Sequence, residues 1–163
     1  GYFLTARSTF RSVTADVAFG DQEEMGFGIR LNTPLTVKFG SGHLLNSDGG
    51  ENEKGTWGRQ AKWCMASGTV DGAAVSAVLM AAPDNFRPAW FHTRDYGLMV
   101  ANPFGKKAMT GPKDDAVAPD TTLVRKGETF ALCFGVRIAD GGPASVDAVQ
   151  AVYEKWLALR GAE

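Results

Sequence analysis

The sequence predicts a mostly β protein, an antiparallel β-sandwich closed by one C-terminal α-helix. Three observations carry this. Apolar and polar residues alternate with period two along most of the chain; the runs are short, rich in β-branched and aromatic residues, and separated by Gly, Pro, Asn and Asp. The period changes to three and four only near the C-terminus. With 163 residues and neither an internal repeat nor a shift of composition, residues 1–163 read as one sandwich domain around one core.

Taken in order, strands are expected at residues 2–10, where aromatic and Thr side chains dominate, at 13–19, and at 26–31, where Phe27 and Ile29 alternate with Gly26 and Gly28. Further strands are expected at 35–39, at 59–66, which contains Trp63, and at 74–80, which is Val- and Ala-rich. Residues 96–100, 121–125 and 129–138 complete the set. Two long loops interrupt them. Residues 40–58 are rich in Gly, with Asn46, Ser47, Asp48 and Asn52 favouring turns. Residues 102–120 contain Pro103, Pro112 and Pro119. Both are expected to lack regular structure and to border a cleft or a sheet edge. The closing helix is placed at 143–160: Ser145 caps it, and Val146, Val149, Val152, Tyr153, Trp156 and Leu157 form an apolar stripe that must cover a sheet.

Composition excludes several classes of function. The formal net charge is -1 and the basic residues are scattered, so no nucleic-acid partner is expected. The longest apolar run, residues 73–82, is broken by Ser76 and stopped by Pro83, short of the ~20 residues that a spanning helix needs, so no membrane partner is expected either. Cys64 and Cys133 form no CxxC pair and are read as buried thiols rather than a disulfide, so they do not fix a compartment. The chain opens Gly-Tyr-Phe without a basic-then-apolar leader; any targeting signal is expected to lie outside these residues, and an extracytoplasmic location stays open.

The densest chemistry lies in residues 83–97. If the chain is extended after Pro88, Trp90, His92 and Arg94 fall on one face. An indole that stacks on a ring, an imidazole that exchanges protons near neutral pH and a guanidinium that clamps carboxylates or hydroxyls suit a sugar-like or anionic ligand. The alternative is a hydrogen-bond cluster that ties a corner together. In residues 22–30, Glu24 and Arg30 share a face with Gly26 and Gly28, where a ligand or another backbone can come close; the alternative is an exposed cross-strand Glu–Arg arrangement. Lys62, between Ala61 and Trp63, is either a cation in a pocket wall or a side chain that snorkels to solvent. There is no GxSxG, HExxH or P-loop, and His43 and His92 lack local metal-site spacing, so neither metal nor cofactor is expected.

The segments Gly20-Asp-Gln-Glu-Glu-Met-Gly-Phe-Gly-Ile-Arg30, Trp57-Gly-Arg-Gln-Ala-Lys-Trp63, Pro83-Asp-Asn-Phe-Arg-Pro88, Trp90-Phe-His-Thr-Arg-Asp-Tyr-Gly97 and Asn102-Pro-Phe-Gly105 resemble, in order and spacing, a bacterial domain family of unknown function. Its members often carry the automatic label methane oxygenase, or PmoA family. The resemblance is specific over residues 21–105, looser to 138 and uninformative in the last helix. It implies a sandwich similar to the galactose-mutarotase supersandwich and a link to carbohydrate metabolism. Methane oxygenation is not expected, because that membrane-embedded subunit needs spanning segments. Family members are longer and carry an earlier His-rich segment, so the resemblance implies that this chain corresponds to the C-terminal part of their domain. A second sheet, a homo-oligomeric partner or an N-terminal fragment would then cover the faces bearing Phe10, Phe19, Phe27, Phe39, Val78 and Phe134.

The resulting expectation is a carbohydrate-active domain that binds a sugar or sugar acid and catalyses epimerisation, hydrolysis or elimination. His92, Glu24 and Arg94 are the candidate catalytic residues, and Arg30, Lys62, Trp63, Trp90 and Asn102 the candidate substrate-binding ones. A non-catalytic carbohydrate-binding or assembly module is the alternative.

Overall fold

Alternation along the chain becomes two antiparallel sheets and one long helix in a computed structural model, which describes residues 1–110, 116, 118–142 and 144–161. The strands are β1 (Tyr2–Arg11), β2 (Val17–Phe19), β3 (Phe27–Arg30), β4 (His43–Asn46), β5 (Arg59–Gln60), β6 (Trp63–Val70), β7 (Ala73–Ala81), β8 (Trp90–Arg94), β9 (Leu98–Asn102), β10 (Thr122–Val124) and β11 (Thr129–Asp140). The helices are α1 (Asn52–Thr56), α2 (Lys106–Thr110) and α3 (Val146–Arg160), with a 3-10 turn at Thr33–Leu35. A five-stranded sheet runs β1-β11-β7-β6-β4, a four-stranded sheet runs β3-β9-β8-β5, and β10 pairs with β2.

Period two gives each sheet two chemically distinct faces. The inner face of the larger sheet supplies Leu44, Cys64, Ala66, Leu79, Leu132 and Phe134, and the smaller sheet answers with Ala89, Phe91, Met99 and Ala101. Phe27 stacks on Phe134 across the interface at 5.5 Å. The outer face of the larger sheet carries Trp63, Met65, Val78 and Met80, which α3 covers with Val149, Tyr153 and Trp156. The architecture is therefore helix, sheet, sheet, with a core on each side of the central layer. Phe27 and Phe134 are covered by the second sheet of this same chain and Val78 by α3, while Phe39 stays exposed. No helix among the described residues is long and apolar enough to cross a membrane.

Several local expectations are corrected. Residues 35–39 do not form a strand: the Asn32 side chain accepts from Thr33 N–H, Pro34 sets the first turn, and Thr36 N–H closes on Thr33 C=O, which makes a 3-10 turn. The strand expected at 13–19 shrinks to β2, and that at 59–66 splits, with β5 in the small sheet and β6 in the large one. The loop expected at 40–58 contains β4 and α1, because His43–Asn46 finds a partner in β6 and Asn52 Oδ1 accepts from Leu44 N–H. In the loop expected at 102–120, α2 forms because the carboxylate of Asp21 accepts from the N–H groups of Lys107 and Ala108. Residues 111–115 and 117 of that stretch lie outside the described residues. Ser145 caps α3, accepting from Ala148 N–H, and both cysteines are free, buried thiols; burial pushes Cys64 up to about 12.

Candidate functional site

β8 sends Phe91 and Thr93 inward, so Trp90, His92 and Arg94 stand together on the outer face of the small sheet. That face is roofed by the chain on either side. α1 lies along the edge of β8 beyond its pairing with β5, tied there by a hydrogen bond between the hydroxyls of Thr56 and the inward Thr93 at 2.6 Å, which brings Glu53 to Arg94 and Trp57 beside His92. The segment that carries Glu23 is held from below by Asn102, whose amide donates to the carbonyls of Gln22 and Glu23 at 2.6 and 2.9 Å.

Under this roof His92 is 1% exposed. Arg94 Nε–H donates to His92 Nε2 at 3.2 Å, which puts the imidazole proton on Nδ1. That Nδ1 has no hydrogen-bond partner among the described residues, and neither does the buried indole N–H of Trp57, whose ring meets the imidazole edge-on at 6.4 Å. The nearest carboxylate to Nδ1 is Glu23, at 3.9 Å. This is the spacing of an ion pair only if His92 is protonated. Burial, and then the charge of Arg94, hold its pKa below the ordinary histidine value, against the opposing pull of Glu23, Glu24 and Glu53. His92 is therefore a neutral donor at pH 7.

Arg94 connects this buried point to an open one. Its Nη1 donates to Glu53 at 2.9 Å and its Nη2 lies 3.7 Å from Glu23, while the guanidinium sits 5.5 Å above the Trp57 ring. Burial by itself would raise the Glu53 pKa, but the Asp95 N–H and Arg94 together bring it below the ordinary carboxylate value. Beyond Glu53 and Arg94 opens a polar cavity of about 720 Å³, lined also by Val37, Lys38, Asp95 and Tyr96.

Of the residues singled out by sequence, the structure brings His92 and Arg94 into contact, with Trp90 on the same face and Asn102 beneath them as the tie to Gln22 and Glu23. Glu24 is exposed and acts on His92 only through its charge. Arg30 lies at the end of β3, stacked 4.8 Å over Tyr96. Lys62 lies elsewhere, beside a groove of about 480 Å³ between Pro83, Pro88 and α3. Trp63 is fully buried under α3, its N–H donating to Gln150. At Gly26 and Gly28 the close approach comes from β9: an added Cβ would lie 2.2 Å from Ala101 O and 3.0 Å from Val100 Cγ2 respectively. Glu23, Glu53 and Trp57 are the residues that sequence reasoning missed. Arg94, the last residue of β8, and Asp95 just after it held the one available signal, a cation and an anion whose partners had to come from outside the strand.

No curated protein and no solved structure matches the chain. A family model does, over residues 1–154, and with nearly the whole chain matched the protein belongs to that Family of unknown function (DUF6807).

Proposed function

We propose that this protein is a carbohydrate-active domain whose ligand, a sugar or sugar acid, meets the His92 cluster, with His92 and Glu23 as the donor and acceptor that handle a hydroxyl proton. The observation that carries the reading is the buried, unpartnered Nδ1–H of His92 facing Glu23. Burying a donor without a partner costs about 1–3 kcal/mol, an expense a fold sheds unless a ligand or water completes the site. Trp57 supplies a second such donor and an indole edge, and Arg94 fixes the imidazole tautomer so that its proton points one way. The resemblance to the family labelled methane oxygenase, and through it to galactose-mutarotase-like sandwiches, supports a carbohydrate over other hydroxyl-rich ligands. In a reaction, Glu23 would take a hydroxyl or carbon-bound proton while the neutral His92 keeps its own and steadies charge on the neighbouring oxygen through the Nδ1–H hydrogen bond, a division of labour open to epimerisation, hydrolysis or elimination.

A non-catalytic binding module is the second reading, and one observation favours it. With Nε2 occupied by Arg94 and its pKa lowered, His92 is arranged to hold its proton rather than to pass it on. Saturation-transfer NMR against a monosaccharide panel, followed by turnover assays on every sugar that binds, separates the two. Binding that is lost in His92→Ala, with turnover dependent on Glu23, is the enzyme; binding lost in the same variant without turnover is the module. Sugar binding unchanged in His92→Ala removes the site from both.

A further inference from the structure

We infer that the His92 cluster selects neutral, hydroxyl-rich ligands and rejects sugar acids, with one ligand hydroxyl accepting from His92 Nδ1–H and donating to the Glu23 carboxylate. This rests on the carbohydrate reading above and narrows it. Three observations lead to it.

The first is the gap itself. At 3.9 Å, His92 Nδ1 and Glu23 Oε2 are too far apart to bond directly, yet one oxygen at hydrogen-bond distance of about 2.8 Å from each spans the separation. The bridging atom must accept on one side and donate on the other. A hydroxyl does both, whereas a carboxylate can only accept and would set its own charge against Glu23. Glu23 keeps 41% of its side chain exposed and can turn to admit the bridge, while His92 is locked in place.

The second is the charge around the gap. Glu23, Glu24 and Glu53 all act on His92, and Arg94 is the cation among the charges that do. Two of its five donors are used, Nε–H on His92 and one Nη1–H on Glu53, and its Nη2 faces Glu23 at 3.7 Å. A ligand carboxylate drawn to this guanidinium would have to compete with Glu53 and Glu23, which already face it. The polar cavity beyond it adds one acid and one base, Asp95 and Lys38, and so leaves the balance negative; Lys38 is turned over the Phe39 ring at 5.1 Å.

The third is where the other candidate cations went. Arg30 stands across Leu98 from Arg94, stacked on the Tyr96 wall of the polar cavity, whereas Lys62 opens on a different groove, on the side of the molecule where α3 packs. Neither acts on His92, so an anionic sugar held there would meet three carboxylates against the one guanidinium of Arg94, while the two unpartnered donors suit hydroxyl oxygens.

The test uses the whole chain and two matched series of probes: glucose, glucosamine and glucuronic acid, and galactose, galactosamine and galacturonic acid. Affinities are measured by calorimetry, and the His92 Nδ1–H resonance is followed by NMR. The expectation is that a neutral sugar binds at least tenfold more tightly than its uronic acid in at least one series and shifts that resonance, and that Glu23→Gln weakens the neutral sugar about tenfold while narrowing the gap to the acid. Glu23 is a partly exposed side chain, so the variant keeps the fold. Uronic acids that bind as tightly as their neutral counterparts, or more tightly, would overturn the inference and leave the carbohydrate reading standing. If no member of either series binds, both fall. A neutral preference that is unchanged in Glu23→Gln also overturns it, because the selectivity would then arise elsewhere.

Discussion

Asn85 does at the end of β7 what a further pair of strand residues would otherwise do. Its amide donates to Cys133 C=O at 3.0 Å and its carbonyl accepts from Cys133 N–H at 2.8 Å, both in the interior. Asn85→Ala leaves that N–H without a partner and weakens the hold on the C=O, which Ala82 N–H also reaches. Urea unfolding is expected to show a loss of about 1–3 kcal/mol with an unchanged slope. An unaltered midpoint would mean that water enters and replaces the side chain. The site residues divide along a similar line between local and long-range contacts. His92 and Arg94 were legible because alternation within β8 is a local rule that an extended chain obeys, and Pro88 starts the extension. Glu23 was not. The same alternation, applied to residues 22–30, favoured Glu24, but β3 begins only at Phe27, so period two has no authority over the residues before it. Glu53 and Trp57 belong to a short helix and its cap, whose contacts with β8 cross about forty residues of chain, and no local pattern encodes those.

At the scale of elements, what was legible follows the same division. Helix α3 has an apolar stripe within its own fifteen residues and a capping serine immediately before them, and it formed where expected. Strands β1, β7 and β11 are long enough for alternation to be seen. The elements that were missed or split are short ones whose existence depends on a partner: β4 on β6, α2 on Asp21, and β5 on β8 while the rest of its predicted strand joined the other sheet. The seat of α3 is specified by a single missing side chain. Gly135 on β11 lies directly beneath the Trp156 ring, and an added Cβ would come within 2.4 Å of it. Trp156, whose N–H donates to Thr5 at 3.0 Å, cannot move aside without giving up that bond. Gly135→Ala is therefore expected to cost about 1–3 kcal/mol, and hydrogen exchange should show the loss first in α3 amides. If Trp156→Leu in the same background fails to recover part of that loss, the clash is not with the indole.

Across the whole molecule, the three layers place two kinds of interior side by side. Among the described residues, the two hydrophobic cores on either side of the large sheet bury no acid, lysine or arginine, whereas the roofed outer face of the small sheet holds His92 and Arg94 against carboxylates. Acid should reach the second kind first. His92 has a native pKa below the 6.5 of the unfolded chain, so between those two values the unfolded state binds a proton that the native state does not. Stability is thus expected to be full above about 6.5 and to fall as the pH drops from there toward the native pKa. Glu53 has a native pKa below 4.5, held there against burial by the Asp95 N–H and Arg94, and Asp120 is held low by Arg87. Their contributions are present above the unfolded carboxylate values and are lost as the pH falls through the native ones, which makes a second, lower window. Urea midpoints measured from about pH 8 to pH 2 should therefore decline in two stages. His92→Gln removes the titrating group while retaining an amide near the gap, and it should flatten the upper stage alone. Glu53→Gln should lower stability at neutral pH, since Arg94 loses its closest anion, and flatten part of the lower stage. If the His92→Gln protein loses as much stability between pH 7 and pH 5.5 as the parent does, the upper stage belongs to another group, and His92 is not held neutral by its surroundings.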